Sequence, residues 1–162
     1  NNIENKSTYG LLYSWAGIMN GENSSDAIPS GIQGVCPVSW HIPSDAEWKV
    51  MEQALGMSLV EVNKDFEMRG TDEGGKLKEV GTAHWTSPNT AATNSTGFTA
   101  LPGGVRYDQS QFGDLGIGGY FWTSTEIAIN ASRFRELHYA SGGIWRHTSS
   151  KPSGYSVRCV KD

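Results

Sequence analysis

The sequence is poor in charge and in long apolar runs, and each shortage excludes a class of function. Only 19% of the 162 residues are charged, and the formal net charge is −4. This balance offers no electrostatic attraction for nucleic acid or for an anionic membrane surface. No apolar run approaches the roughly 20 residues that span a bilayer, so we expect no membrane insertion by this domain.

The chain also lacks the short motifs that mark common catalytic and metal sites. It has no nucleophile elbow, no phosphate-binding glycine loop and no metalloprotease helix motif. Its four histidines, including His41 and His84, are scattered and form no short ligand pair. We therefore predict a protein that is not an enzyme, with no catalytic residues and no metal ligands, and we interpret His41 as a hydrogen-bonded core residue.

Glycine and aromatic residues are plentiful instead. The chain has 20 Gly, six Trp, six Tyr and five Phe. Many turns and little exposed helix are typical of a loop-rich α+β domain rather than of a helical bundle. The length suits one domain with a substantial core, so we predict that residues 1–162 form a single domain.

Two helices are predicted in the N-terminal half. Ser44 and Glu47 fit a capping box, and Trp48, Met51 and Leu55 follow at helical spacing, which predicts a helix over 45–55. A second box at 58–61 predicts a shorter helix over 59–66, with its apolar face formed by Leu59, Val62 and Phe66.

Strands are predicted at both ends of the chain, because aromatic and β-branched residues cluster there. The predicted strands are 9–15, 120–125, 131–139, 144–148 and 155–160. The turn at 140–143 contains two glycines and predicts a C-terminal hairpin in a twisted antiparallel sheet. Between the helices and these strands, frequent Gly and Pro with Trp85 and Phe98 indicate a long ordered loop rather than a disordered linker.

The two cysteines, Cys36 and Cys159, lie far apart and each belongs to a dense motif. We predict a disulfide between them, although two free buried cysteines remain the alternative. Closing so long a loop would contribute roughly 5 kcal/mol in the chain-entropy model. A disulfide also implies an oxidising compartment. Because the sequence opens on Asn1 and not on Met, we expect a processed chain or an excised segment.

Six motifs resemble those of the Fibrobacter succinogenes major paralogous domain family. The first reads Cys-Pro-x-x-Trp-His-Ile-Pro-Ser-Asp-x-Glu-Trp. In order, the motifs occupy 36–48, 75–79, 84–85, 97–104, 120–126 and 154–160. Together they cover nearly the whole chain. The resemblance implies a bacterial surface or secreted domain, part of a larger surface protein, with a C-type-lectin-like fold distantly similar to the sulfatase-modifying enzymes.

The chain departs from these relatives in two respects. The sulfatase-modifying enzymes use a reactive cysteine pair late in the chain, whereas only Cys159 lies late here. The calcium-dependent sugar motifs of many C-type lectins, such as Glu-Pro-Asn, are missing as well. We therefore expect no cofactor, although a structural calcium could be held by Asp72 with Glu73 or by Asp108 with Asp114.

The predicted hairpin has one face of recognition character. If Tyr139 pairs opposite Ile144, Leu137, Tyr139 and Ile144 share the core face, and Arg133, Arg135 and Arg146 are expected at its rim or at the strand ends. The other face carries Phe134, Glu136, His138, Trp145 and His147. Such a mixture of aromatic and polar groups is typical of recognition surfaces. The alternative is an ordinary sheet face covered by loops, and a one-residue slip would exchange the faces.

The sequence thus predicts a non-catalytic ligand-binding or adhesion module outside a bacterial cell or on its surface. Its ligand would be a glycan or a protein, bound by the hairpin face and by Ile127, Ile129 and Asn130 in the preceding loop. A structural subunit of a surface assembly is the alternative, and an enzyme related to the sulfatase-modifying group is a remote one. Five of the tryptophans are expected to pack inside, whereas Trp145 is expected at the ligand surface.

Overall fold

The computed structural model describes residues 3–108 and 111–162. These residues form five helices, α1 (Ile3–Tyr9), α2 (Trp15–Met19), α3 (Asp45–Ala54), α4 (Leu59–Asn63) and α5 (Glu73–Leu77). They also form eight strands, β1 (Trp40–His41), β2 (Glu67–Arg69), β3 (Val105–Arg106), β4 (Phe112–Gly113), β5 (Gly118–Ala128), β6 (Ala131–His138), β7 (Ile144–Ser150) and β8 (Val160–Lys161). The predicted α+β class is confirmed. No helix in the described part of the chain is long and apolar enough to cross a membrane.

The central sheet has four antiparallel strands in the order β2-β7-β6-β5. Two small antiparallel pairs, β1–β8 and β3–β4, lie outside it. The predicted hairpin is confirmed as β6 and β7, and it forms the middle of the sheet. The predicted strand over 120–125 is confirmed as the inner part of β5.

The first predicted helix is confirmed as α3, and its start has the expected cap. The Glu47 backbone N–H donates to Ser44 Oγ at 3.1 Å, and the Ser44 N–H donates to Glu47 Oε2 at 2.9 Å. These two bonds satisfy donors that a helix start otherwise leaves free. The helix ends before Gly56, which adopts a φ of 115°.

The second predicted helix is wrong in its length and in its apolar face. Helix α4 ends at Asn63, and Phe66 adopts a φ of 56°, which no helix accommodates. Leu59 and Phe66 are exposed, and only Val62 of the expected face is buried. The apolar spacing was therefore a poor guide over so short a segment.

Helix α5 was not predicted, because two glycines interrupt its sequence. A Cβ on Gly74 would lie 2.1 Å from the Gly143 carbonyl oxygen, and one on Gly75 would lie 2.1 Å from the Ala91 carbonyl oxygen. Gly74 therefore allows α5 to approach the β6–β7 turn closely, and Gly75 allows it to approach the loop at Ala91. Tertiary packing outweighs the weak helix propensity of glycine at this position.

Two predicted strands, 9–15 and 155–160, are mostly irregular. Helix α1 ends at Tyr9 and α2 begins at Trp15, since Ser14 Oγ accepts the Gly17 N–H and caps a helix there. Between them, Tyr13 makes an isolated antiparallel bridge to Tyr155. At the C-terminus, regular pairing begins only with β8.

The long ordered loop is confirmed. Residues 78–104, all of them described, contain no helix or strand. Trp85 belongs to this loop and its side chain is buried. Its indole N–H donates to the Ala100 carbonyl at 3.0 Å. The loop is thus held in place by a buried side chain and its hydrogen bond rather than by regular strand pairing.

The predicted disulfide is confirmed. Cys36 and Cys159 are bonded, with their Cα atoms 5.8 Å apart and a sequence separation of 123. Cys36 belongs to an aromatic core cluster with Trp15, Trp122 and Tyr155. The bond therefore ties the segment before β1 to the C-terminal segment, at the core that lies against the central sheet.

Candidate functional site

One row of side chains crosses all four strands of the central sheet. Met68 on β2 pairs with Trp145 on β7, Trp145 pairs with Glu136 on β6, and Glu136 pairs with Tyr120 on β5. Residues directly opposite each other in antiparallel strands point to the same face. The predicted register, with Tyr139 opposite Ile144, is therefore two residues out. An even shift leaves the predicted faces unchanged.

This face of the sheet contains an open cavity with a volume of about 520 Å³, which we call the cleft. Its lining residues are Met68, Phe134, Glu136, His138, Ser141, Trp145 and His147. Five of them are the residues predicted for the outer hairpin face, so the structure brings those five together. Met68 and Ser141 were not predicted, because β2 had no strand signal and Ser141 lay in the turn.

The cleft is open because the cover over this face extends across only half of the sheet. On the β5 side, Tyr155 packs on Tyr120, Trp122 and Phe134, with ring centroids 5.2, 4.5 and 4.8 Å away. On the β7 side, Trp145 and His147 remain half-buried. Phe134 stands at the boundary, and at 6% exposure it belongs to the core as well as to the cleft. The expectation that Phe134 is an outward recognition residue therefore requires correction, because the aromatic cover buries most of its ring.

The opposite face is covered by α3 and carries buried ion pairs. Arg135 donates to Asp45 at 2.7 Å and to Glu52 at 2.6 Å, and its side chain is 0% exposed. Arg146 donates to the other Asp45 oxygen at 2.7 Å. Arg69, also fully buried, makes two bonds to Glu52 at 2.7 and 2.8 Å.

Arg135 and Arg146 were expected at the rim of the core face, and this expectation is wrong, because both are buried. Arg135 and Arg146 lie opposite each other on β6 and β7, in the middle of the sheet. Both can be buried there because α3 directs the carboxylates of Asp45 and Glu52 toward them. Arg133 contacts Asp65 and lies nearer the surface. Burial of Asp45 opposes its ionisation, but the Arg146 and Arg135 guanidinium groups outweigh burial and hold the pKa of Asp45 well below its usual range.

Within the cleft, the two histidines are each oriented by a backbone hydrogen bond. The Ala140 N–H donates to His138 Nδ1 at 3.3 Å, which leaves Nε2 to carry the proton. The His147 Nδ1–H donates to the Thr148 carbonyl at 3.0 Å. Burial lowers the pKa of His138. Each imidazole is thus held through Nδ1 by a backbone group, and its Nε2 takes no part in that bond.

Glu136 lies at the floor of the cleft beside a group of tyrosines. The Tyr120 hydroxyl donates to Asp114 Oδ2 at 2.9 Å, and the exposed Tyr107 hydroxyl donates to the same oxygen at 3.1 Å. Burial, together with the nearby Asp114 charge, raises the pKa of Glu136 to about 7 despite a hydrogen bond to Tyr120. This group was not predicted from the sequence, because loops bring Asp114 and Tyr107 to Tyr120.

The loop residues predicted for the same site lie elsewhere. Ile127 is in β5, and Ile129 and Asn130 form the β5–β6 turn, at the far end of β6 from His138. Seven residues of strand separate the two ends, which is roughly 23 Å. The Lys151 ammonium and N–H donate to the carbonyls of Ile129 and Asn130, each at 3.0 Å. These three exposed residues therefore do not line the cleft.

The calcium candidates are already occupied by protein groups. Glu73 Oε2 accepts the N–H groups of Thr71 and Asp72, and Asp72 pairs with Lys76 at 2.8 Å. Asp108 is 3.4 Å from the Ser150 hydroxyl. Within 3–108 and 111–162, no three His, Cys, Asp or Glu residues are grouped so as to hold a metal ion.

A second concave surface, of about 540 Å³, lies beside β1 and β8. His41 lies there, buried as predicted, with Nε2 2.7 Å from Glu47 and Nδ1 2.6 Å from Asp162. Burial opposes charge on His41, but the hydrogen bonds to Asp162 and Glu47 raise its pKa above the usual value. Trp40 lines the same surface and is 38% exposed. It was expected inside; Trp15, Trp48, Trp85 and Trp122 are buried as expected.

The geometry defines a disulfide-closed α+β domain whose central sheet has one buried ionic face and one face with an open cleft. The chain belongs to the Fibrobacter succinogenes major domain family, whose family model matches residues 1–161. The predicted family resemblance is thereby confirmed. Comparison with curated proteins and with solved structures gave no match.

Proposed function

We propose that this domain is a non-catalytic ligand-binding module of a bacterial surface or secreted protein, and that its ligand is a glycan bound in the cleft. The observation that carries the proposal is the half-buried Trp145 ring in a concave surface that also presents Glu136, His138, Ser141 and His147. An aromatic face packs on the apolar side of a sugar ring, while the surrounding polar groups bond its hydroxyls.

The size of the cleft favours a small ligand over a folded protein. Its volume of about 520 Å³ falls within the range of small-ligand pockets, which is roughly 300–1,000 Å³. A stable protein interface buries about 800 Å² on each partner, so it would extend well beyond the cleft. A protein ligand is therefore the second candidate, and the array experiment below decides between them.

Two observations support a non-catalytic role, one on the cysteines and one on the histidines of the cleft. Both cysteines of the chain are in the disulfide, which leaves no thiol for the redox chemistry of the sulfatase-modifying enzymes. The δ nitrogens of His138 and His147 bond to backbone groups rather than to a nucleophile. We keep the C-type-lectin-like fold and a place in a larger surface protein as parts of the same proposal. The disulfide fits a location outside the cytoplasm.

A matched pair of tryptophan variants tests the site. Oxidised wild-type protein, Trp145→Ala and Trp40→Ala are applied to a glycan array, with and without calcium. The expected result is a set of hits that Trp145→Ala loses and that Trp40→Ala keeps, because Trp40 lines the other concave surface. Hits that survive Trp145→Ala would contradict the site. Silence across the array would shift the assignment to a protein ligand.

An exposed apolar patch on α4 favours the alternative function, a structural subunit of a surface assembly. Helix α4 exposes Leu59 and Val60, at 67% and 72%. If this patch mediates assembly, the protein will sediment as an oligomer that Leu59→Ser with Val60→Ser converts to a monomer. A wild-type monomer at millimolar concentration would remove this alternative.

A further inference from the structure

Lys78 directly follows α5 and is fully buried, and within the described residues its ammonium group bonds to no carboxylate. Its Nζ donates instead to three backbone carbonyls, those of Thr90 at 2.9 Å, His138 at 3.0 Å and Ser141 at 2.8 Å. It also lies 5.4 Å from the centroid of the Trp85 ring. An ammonium group has three N–H donors and no acceptor, so the three carbonyls match the charged form of Lys78.

Two of these three carbonyls belong to residues that line the cleft. His138 ends β6, Ser141 lies in the β6–β7 turn, and both contribute to the lining. Within the turn, the Ala140 N–H orients the His138 ring, and Ser141 Oγ accepts the Gly143 N–H at 3.0 Å. Lys78 therefore holds, through their backbone, two residues whose side chains a ligand in the cleft would meet.

Other backbone bonds hold the same turn at different residues. The Thr90 N–H donates to the Tyr139 carbonyl at 2.8 Å, and the Gly75 N–H donates to the Gly142 carbonyl at 3.0 Å. Neither Tyr139 nor Gly142 is among the lining residues of the cleft. These two bonds attach the turn to the long loop and to α5, whereas the Lys78 ammonium bonds the residues that form the site.

We propose that Lys78 is a positioning residue for the cleft: by bonding three carbonyls at once, its ammonium group fixes the β6–β7 turn and so places His138 and Ser141 for the ligand. This inference rests on the proposed function, because it names a residue that acts on the same site without touching the ligand. Charge-assisted hydrogen bonds are stronger than neutral ones, so they restrict the carbonyls more tightly. A turn that is fixed in advance lowers the ordering cost of binding and so raises affinity.

The charge on Lys78 depends on pH, because burial lowers the pKa of this ammonium group to about 8. The titratable residues on the neighbouring elements are His138 and Tyr139 at the end of β6, Glu73 and Lys76 on α5, and Glu79 and His84 in the loop. The acids among them bond to other groups, since Glu73 accepts the Thr71 N–H and Glu79 pairs with His84. A neutral amine has two N–H donors for the three carbonyls, so deprotonation removes one of the bonds.

A ligand-free titration tests the contact in the unaltered protein, so no variant has to fold for it. NMR follows the Lys78 Nζ signal and the carbonyl carbons of Thr90, His138 and Ser141 between pH 7 and pH 10. The carbonyl signals are expected to move with the same midpoint as Nζ, near pH 8, because the donors they share change at that point. In Lys78→Met the same signals should not move. Carbonyl signals that stay constant while Nζ titrates would overturn the inference.

A matched pair of lysine variants tests the effect on binding. Lys78→Met removes the three donors and keeps an unbranched side chain. The control is Lys76→Met, because the Lys76 ammonium donates to the Leu55 carbonyl and to Asp72, each at 2.8 Å, rather than to the β6–β7 turn. The calorimetric probes, used at pH 6.5, are hexamers of glucose, xylose, mannose and N-acetylglucosamine. A hexamer that binds the wild-type protein should bind Lys78→Met about tenfold more weakly and Lys76→Met equally well.

The outcomes separate this inference from the proposed function. Affinity is measured at a temperature at which both variants are fully folded, and urea unfolding gives their stability. If Lys78→Met is less stable but binds as tightly as the wild-type protein, Lys78 supports the fold and not the site, so the inference fails and the proposed function stands. If the wild-type protein binds none of the hexamers, the glycan assignment fails, and the role of Lys78 in glycan binding fails with it.

Discussion

The two faces of the central sheet handle polar groups in opposite ways. On the α3 face, Arg69, Arg135 and Arg146 are buried as charges, and each is paired with Asp45 or Glu52. On the cleft face, Glu136, His138 and His147 are half-buried, and within the described residues none of their side chains bonds to a guanidinium or ammonium group.

The difference shows how one sheet serves as both support and site. Paired charges in a dry layer fix the geometry of β6 and β7, because each hydrogen bond restricts two side chains. Polar side chains that have no such ionic partner and lie beside an open surface retain hydrogen-bonding capacity for a ligand. The cleft can therefore carry polar side chains on a rigid backbone, because the ion pairs on the α3 face hold β6 and β7 in place.

The largest expected effect comes from removing the bond that holds the cover of the cleft face. Reduction of Cys36–Cys159 should lower the free energy of unfolding by roughly 5 kcal/mol, because the loop it closes spans 123 positions. Urea unfolding of oxidised and reduced protein measures the change. A reduced protein of unchanged stability would show that the aromatic core alone holds the cover.

The ionic face can be broken at Glu52. Glu52→Ala leaves Arg69 and Arg135 buried without their shared partner, so the free energy of unfolding should fall by about 3–5 kcal/mol. The matched control is Glu67→Ala, an exposed glutamate of β2, which should change stability by less than about 0.5 kcal/mol. Equal losses in the two variants would mean that the ion pairs do not distinguish the faces.

The two faces should also respond oppositely to pH. The folded-state pKa of Asp45 is lowered, so its stabilisation is present above the usual value of 3.8 and is lost as the pH falls below it. The folded-state pKa of Glu136 is about 7 against 4.5, so the folded protein holds a proton that the unfolded chain has lost between these values. Stability contributed by Glu136 therefore declines as the pH rises from 4.5 to 7.

Two isosteric variants measure this contrast. Glu136→Gln should raise the free energy of unfolding at pH 8.5 by about 1–3 kcal/mol and leave it nearly unchanged at pH 4. Asp45→Asn should lower it at pH 7, with a smaller loss near pH 3. Unfolding curves that show the same pH trend for both variants would contradict the assigned ionisation states.

The smallest effect is expected at the β5–β6 turn. Ile129 is 89% exposed and lies at the far end of β6 from the cleft, so Ile129→Ala should change stability by less than about 0.5 kcal/mol. Oligosaccharide affinity should be unchanged as well, as calorimetry would show. A loss of affinity would extend the site beyond the cleft and restore the original grouping of Ile127, Ile129 and Asn130.

Local signals predicted the parts of the fold that local interactions determine. The capping box at Ser44, the glycine turn before Ile144 and the aromatic run of β5 all correspond to observed elements. The hairpin faces were also predictable, because side-chain alternation depends on parity and not on exact register. The disulfide followed from the presence of only two cysteines in two dense motifs.

Tertiary contacts decided what the sequence could not predict. Helix α5 forms although Gly74 and Gly75 disfavour a helix, because its backbone packs on the β6–β7 turn. Apolar periodicity does not predict that Asp45 and Glu52 of α3 point inward. For this reason Arg135 and Arg146, which pair with them, were wrongly expected at the rim. The acceptor of the Tyr120 hydroxyl, Asp114, lies in a loop and adopts a left-handed φ of 59°, which no periodic pattern in the sequence predicts.

The most direct test of the account follows the six indole N–H signals by NMR while a neutral hexasaccharide is added at pH 5.5. The Trp145 signal is expected to shift in proportion to occupancy, and the Trp40 signal is expected to remain in place. A shift at Trp40 with none at Trp145 would contradict the account and move the binding site to the surface beside β1 and β8.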